Sequence, residues 1–249
     1  MVGDGIRLGG WLAIPDLLVV EAAGRAGYDW VGLDLQHGAW DLGAAARGIQ
    51  LLDILNIPAI VRVPDEELHL IPHVLDHGAS GIVIAMTKSA KTVADAVARA
   101  RYQPEGSRSY GGQRYGMRHE PADVATIRPA IHAMVESREA IERIDVIAAV
   151  PGLASIHVGP VDLGLSLGLG QNREHASFKS ALRTIVRAAH AVGLPAVMHA
   201  VDDGQVSEMV ELGFDELVLT ADIGLLRRAI ADEINHAREK TGGGAAVAK

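Results

Sequence analysis

Cysteine is absent from the 249-residue chain, which excludes disulfides, thiolate nucleophiles and Cys-based zinc sites. Aromatic residues are scarce at 4%, so the core has to be built from Ala, Val, Leu and Ile. A barrel interior filled by layers of branched aliphatic side chains is one natural home for that composition. Basic excess is missing too: 23 Lys and Arg against 31 Asp and Glu leave a net charge of −8. Such a balance argues against phosphate-backbone binding, which needs clustered Lys and Arg. No stretch reaches the roughly 18 uninterrupted apolar residues of a membrane helix. The first ten residues carry neither the basic nor the apolar region of a secretory leader. A cytoplasmic protein working away from membranes and nucleic acid is expected.

What the chain does contain is a recurring alternation of short apolar, β-rich runs with helical patterns, as in βα units around a parallel sheet. Strands are read at Gly10–Ile14, Trp30–Leu35, Pro58–Val63, Gly81–Met86, Ala130–Val135, Ser155–Val158, Pro195–His199 and Glu216–Thr220. Helices are read at Leu17–Ala26, Leu42–Leu55, Glu67–His77, Ala90–Ala100, Arg138–Ala148, Phe178–Val192, Gly204–Leu212 and Ile223–Lys240. Glycine stands at several helix-to-strand joins (Gly27, Gly78, Gly193, Gly213), where a left-handed C-cap favours it. A doubly wound sheet would show the same alternation, but no phosphate-binding glycine loop follows a strand. Eight strands in a length near 250 predict an α/β protein, a single-domain (β/α)8 TIM barrel over residues 1–240, with a flexible tail over 241–249. The Gly-, Tyr- and Arg-rich stretch from Arg101 to Pro129 breaks the rhythm and is expected at the barrel rim or against a neighbouring subunit.

In this architecture the active site lies at the C-terminal ends of the strands. Strand two ends in Asp34-Leu35-Gln36-His37, strand three carries Arg62, strand five leads to Glu136, and strand six leads to Gly159-Pro160-Val161-Asp162. Each residue has an ordinary alternative: Asp34 or Asp162 as a helix cap, His37 as a surface histidine, Arg62 as a structural ion pair, Glu136 as a helix N-terminal acid. Four strands delivering such groups to one rim fit a common chemistry better.

That chemistry is carboxylate–metal. A hard cation such as Mg²⁺ or Mn²⁺ takes one or two carboxylates and leaves positions for substrate oxygens, and Glu136 and Asp162 are that minimal set. The metal would act as a Lewis acid on a 2-oxo acid and stabilise its enolate. Arg62 would be a fixed donor to the same oxyanion. The start of a helix after Gly159-Pro160 would hold the carboxylate on free N–H groups, and His37 would transfer protons near neutral pH. A Schiff-base route needs a lysine; Lys88 is the one near a strand end. His199 and Asp222, at the ends of strands seven and eight, are expected near the site without an assigned role.

Several of these segments resemble, in order, the HpcH/HpaI family of metal-dependent pyruvate aldolases of the 4-hydroxy-2-oxoheptanedioate aldolase type. They are Asp34-Leu35-Gln36-His37, Val61-Arg62-Val63, Leu75-Asp76-His77-Gly78-Ala79, Tyr102 to Ser109, Val135 to Ala140, and Val158 to Leu163. The resemblance runs from about Gly9 to about Ile234 and is most specific in the fifth and sixth segments. It implies a (β/α)8 barrel assembled as a hexamer, a dimer of trimers whose last helix is often exchanged. It also implies Glu136 and Asp162 as ligands of Mg²⁺, Mn²⁺ or Co²⁺, and His37 as general acid/base acting through a metal-bound water. Arg62 becomes the transition-state stabiliser, Asp76 the acid that raises the basicity of the histidine, and the amides of Val161 and Asp162 the carboxylate site. The implied reaction is reversible cleavage of 4-hydroxy-2-oxo acids to pyruvate and an aldehyde. Relatives that cleave malyl-CoA- or citramalyl-CoA-like thioesters or decarboxylate oxaloacetate supply the alternative; a non-catalytic metabolite-binding barrel is a third reading. This chain departs from the common pattern at Gln36, at Met134 in place of a substrate-binding Gln, at Ala85-Met86-Thr87-Lys88 and at Glu66-Glu67. The change at Met134 predicts a less polar pocket and leaves the aldehyde unassigned.

Overall fold

The computed structural model describes residues 5–111, 113–114, 117 and 126–241. Eight strands close into one barrel in chain order: β1 (Arg7–Leu12), β2 (Trp30–Asp34), β3 (Ala59–Val63), β4 (Gly81–Ile84), β5 (Ala130–Val135), β6 (Leu153–Val158), β7 (Ala196–Val201) and β8 (Glu216–Leu219). Every neighbouring pair is parallel, and β1 closes against β8 with Arg7 opposite Glu216. Among the described residues the α-helices are α1 (Leu17–Arg25), α2 (Leu42–Ile54), α3 (Leu70–Asp76), α4 (Ala90–Ala100), α5 (Arg138–Glu142), α6 (Ile144–Ala148), α7 (Pro160–Ser166), α8 (Ala176–Ala191), α9 (Val206–Glu211) and α10 (Asp222–Lys240). The predicted (β/α)8 fold is therefore present. No helix among the described residues is long and apolar enough to cross a membrane.

Local chemistry explains most boundaries. Asp16, Asp41, Ser89 and Ser137 each accept a backbone N–H in the first turn of α1, α2, α4 and α5, satisfying donors that a helix start leaves open. Gly27, Gly78, Gly193 and Gly213 follow helices with φ between 74° and 102°, the left-handed region that costs other residues about 1–2 kcal/mol.

The differences from the expected boundaries have physical causes. Strand β1 begins three residues earlier than expected, because Arg7 pairs in register with Glu216 of β8 and their side chains form an ion pair at 2.7 Å. The helix expected over Glu67–His77 starts at Leu70, after a 3₁₀ turn at Asp65–Glu67. Pro72, which has no N–H to donate, then falls in the first turn where none is needed. The helix expected over Arg138–Ala148 is broken at Arg143 into α5 and α6. The expected tail, 241–249, lies outside the described residues except for Thr241.

The outer core, between strands and helices, is aliphatic. Inside the barrel a second cluster holds Trp11, Trp30, Ile60, Val83, Met134, Val197 and Val218. Large rings enter because glycines face them: a Cβ at Gly9 would collide with Trp30, and one at Gly32 with Trp11.

Candidate active site

A cavity of about 410 Å³ opens at the C-terminal ends of the strands, lined by His37, Arg62, Glu136, Gly159, Pro160, Val161 and Asp162 together with Trp11, Met134 and His199. The groups read from strand ends two, three, five and six thus share one space.

Asp34 organises its first half. At 3% exposed, it takes Nε and Nη2 of Arg62 in a bidentate pair at 2.8 and 2.6 Å. It also accepts the backbone N–H groups of Gln36 and His37 at 3.1 and 3.2 Å. Burial pushes the Asp34 carboxyl up, but Arg62 and the two amides outweigh it and hold the group below its ordinary range. The guanidinium lies over the Trp11 ring, 5.4 Å from its centroid, and its Nη1 reaches Met134 Sδ at 3.6 Å. Arg62 is thus fixed on one edge, and His37 stands exposed at the mouth on a backbone held by the same carboxylate. Asp34, read in sequence as the start of the strand-two motif or a helix cap, thus positions Arg62 and the backbone of His37.

Glu136 and Asp162 form the second half. Glu136 is 2% exposed and accepts the Met86 N–H at 2.6 Å. Met86 is left-handed, with φ 49°, a local strain of the kind held at functional sites. Gly159 is required here, since a Cβ would run into the Glu136 carboxylate. Burial pushes the Glu136 carboxyl up to about 7; Met86 and Arg62 oppose that and Asp162 adds to it. A buried carboxylate beside a second carboxylate is a place that a cation would stabilise. No group of three or more His, Asp or Glu side chains converges on a metal position among the described residues. Two oxygen acids would suit an ion that keeps open positions, such as Mg²⁺ or Mn²⁺, better than a closed zinc site.

Other expected residues fall elsewhere. Asp76, at the end of α3, pairs with the buried Arg108 at 2.6 Å and does not line the cavity. Lys88 does not line this cavity; it lines an adjoining space with Arg138 and Ser166, which Glu136 and Asp162 also border. Asp222 receives the N–H groups of Ala13 and Ile14, both at 2.9 Å, tying the exit of β1 to α10. His199 does line the cavity. Its signal in the sequence was position alone, the last inward residue of β7. Trp11, with no polar strand-end signature, was not anticipated.

A closed parallel barrel with carboxylates, a fixed guanidinium and a histidine at its C-terminal rim fits a carbon–carbon lyase of the enolate-forming kind. The chain belongs to the HpcH/HpaI aldolase/citrate lyase family, which it matches over residues 7–221, and it is an aldolase. It is 31% identical over 238 residues to the hydroxypyruvate/pyruvate aldolase of Paraburkholderia phytofirmans, covering 92% of each chain. It is 28% identical to the 5-keto-4-deoxy-D-glucarate aldolase of Klebsiella pneumoniae, covering 90% of this chain and 89% of the other. Among solved structures, the HpcH/HpaI aldolase of Desulfitobacterium hafniense superposes with a TM-score of 0.87 at 26% identity, over 94% of this chain and 93% of that one.

Proposed function

We propose that this aldolase is divalent-metal-dependent and cleaves 4-hydroxy-2-oxo acids reversibly to pyruvate and an aldehyde. The observation that carries this is the facing pair Glu136 and Asp162 in the same cavity as Arg62 and His37. Relatives named for pyruvate and keto-acid aldolase activities support the substrate class.

Glu136 and Asp162 would hold the ion. Mg²⁺, Mn²⁺ or Co²⁺ bound there would supply Lewis acidity toward the 2-oxo acid. The N–H groups of Val161 and Asp162, which follow Gly159 and Pro160 in the first turn of α7 and have no intrahelical acceptor, receive the substrate carboxylate. His37 takes the proton of the C4 hydroxyl, through a water. The C3–C4 bonding pair passes to the pyruvate side as the C4–O bond becomes the aldehyde carbonyl. Nη1 of Arg62, the nitrogen not committed to Asp34, donates to the oxygen on which charge develops. The proton on His37 returns to C3.

Free-acid substrates are favoured over CoA thioesters. Arg101, Arg108 and Arg114 of the irregular segment are engaged with Glu105, Asp76 and Asp53, so they are not presented to a CoA phosphate. Pyruvate release should be measured on 4-hydroxy-2-oxo acids, oxaloacetate and malyl-CoA-type thioesters in parallel. Fastest turnover on the hydroxy-oxo acids is expected; cleavage confined to thioesters would contradict the reading, and no turnover on any would favour a binding barrel.

The raised Glu136 carboxyl sets a pH dependence. Its folded pKa of about 7 lies above its ordinary value, so the carboxyl's contribution to metal-free stability is fully present below about 4.5 and lost as pH rises through 7. Metal must displace that proton. Mn²⁺ affinity, followed by titration calorimetry, should therefore rise about tenfold per pH unit up to about 7 and then level off. A flat profile between pH 5.5 and 7 would contradict Glu136 as a ligand.

Assembly as a homo-hexamer, a dimer of trimers in the cytoplasm, completes the proposal. Helix α10 buries none of its residues and leaves Ile223, Leu225, Leu226, Ile230 and Ile234 between 43% and 49% exposed, a surface suited to exchange with another copy. Within one chain no hydrogen bond joins Asp76 to His37 among the described residues, so the role of Asp76 beside the histidine belongs to the assembly. A monomeric mass in solution would contradict both points.

A further inference from the structure

The axis of this barrel carries imidazoles where the architecture ordinarily packs branched aliphatics. His132 on β5, His157 on β6 and His199 on β7 form a ladder with ring centroids 5.0 Å apart at each step. His157 Nδ1 and His199 Nε2 are 2.7 Å apart, a hydrogen bond between two buried side chains. Burial, reinforced by Arg62 and His132, lowers His199 to about 3 and holds His157 well below its usual value. Both rings are therefore neutral, and a neutral pair joined by one N–H···N bond keeps one further nitrogen on each ring, a donor at one end and an acceptor at the other.

The two rings open on different spaces. His199 lines the active-site cavity. His157 lines a second cavity of about 200 Å³ at the opposite, N-terminal end of the barrel, shared with Arg7, Ser80, His132 and Glu216. Ser80 and Pro58, which also line it, are exposed, and His132 Nε2 is buried without a protein partner among the described residues. A space this large and this polar accommodates water. Aliphatic side chains would fill the same volume without polar atoms to satisfy. Ala200, directly after His199, is held left-handed at φ 53°, at a cost of about 1–2 kcal/mol. Simple packing accounts for neither feature.

We propose that the His157–His199 pair is a proton relay between the lower cavity and the active-site cavity, exchanging the C3 hydrogens of bound pyruvate with solvent. The relay rests on the pyruvate-aldolase reading above. On enolisation the C3 proton passes to His199 Nδ1, the proton on His199 Nε2 to His157 Nδ1, and the proton on His157 Nε2 to water below. The C3–H bonding pair stays with the enolate. A solvent proton returning by the reverse sequence re-forms the C3–H bond and restores both tautomers, so no ring has to turn. Aldol cleavage returns to C3 the proton that His37 takes from the C4 hydroxyl, and His37, exposed at the mouth, also exchanges C3 by the reverse of that step. The relay is therefore isolated in a His37→Ala background, where it is the remaining route between C3 and solvent.

The test compares C3 deuteration of pyruvate in D₂O, followed by proton NMR, with cleavage of a 4-hydroxy-2-oxo acid by the same metal-loaded protein. His157→Gln keeps a hydrogen bond to His199 but cannot pass a proton through two nitrogens; His157→Phe removes the bond. In the His37→Ala background both should lower exchange by about 10²-fold, the scale of a lost acid–base group, and with His37 present both should leave cleavage little changed. Unchanged exchange on adding either substitution to His37→Ala would overturn the relay while leaving the aldolase reading intact. Wild-type protein that neither cleaves nor exchanges would overturn both. Should neither His157 variant fold, Ser80→Trp, which blocks the lower cavity from an exposed position with both imidazoles in place, is read in the same way.

Discussion

Arg62→Met is expected to lower kcat/KM for pyruvate-forming cleavage by about 10²–10³-fold, the range seen when one oxyanion donor is removed. It should also destabilise the fold by about 3–5 kcal/mol, because a nearly buried Asp34 loses the bidentate partner that compensates its charge. The two effects are separable. Asp34→Asn retains the guanidinium but removes its charged clamp, so it should cost comparable stability and less turnover. Urea unfolding and steady-state kinetics on both variants decide the matter. Equal losses of turnover at equal losses of stability would mean that Arg62 only holds the barrel rim together.

Glu136→Gln carries the other large effect, in opposite directions on activity and stability. Loss of one of two ion-holding carboxylates should reduce metal-dependent turnover by about 10³-fold or more, since Lewis-acid stabilisation is worth several kcal/mol. Yet the glutamine carbonyl can still accept the Met86 N–H that Glu136 now receives at 2.6 Å. It also removes a carboxylate that burial and Asp162 make costly to ionise. Metal-free Glu136→Gln should therefore be more stable than wild type at pH 8, by on the order of 3 kcal/mol, and the advantage should vanish near pH 4.5. Such a trade of stability for function is what a strained, charged site predicts. Equal melting temperatures at pH 8 would show that Glu136 is comfortably ionised without metal.

Much of this site was legible because a TIM barrel places strand ends at one rim. Arg62, Glu136 and Asp162 needed only the strand count and the period of two to be brought together. Helix boundaries were legible where capping residues announce them, as at Asp41 and Ser89. What was hidden has a different cause. Asp34 looks like a turn cap in sequence, and only the closed barrel shows its carboxylate against Arg62 from the next strand, opposite it in register. The inward row His132, His157 and His199 was masked by reading single strand ends rather than successive layers. The run Gly9-Gly10-Trp11 blurred the start of β1, because glycine weakens a strand signal and only the tertiary fold shows that Gly9 and Gly32 make room for Trp30 and Trp11. Asp76 marks the limit of motif transfer to a single chain: its carboxylate meets Arg108, and within the chain it does not line the cavity that holds His37.

The central claim is that two carboxylates hold a cation on which pyruvate formation depends. Its most direct test is pyruvate release from a panel of 4-hydroxy-2-oxo acids after exhaustive chelation, and again after adding Mg²⁺, Mn²⁺ or Co²⁺. Activity lost to the chelator and restored by metal in wild type but not in Glu136→Gln is the predicted result. Activity that survives complete chelation would contradict the account and turn attention to an amine such as Lys88.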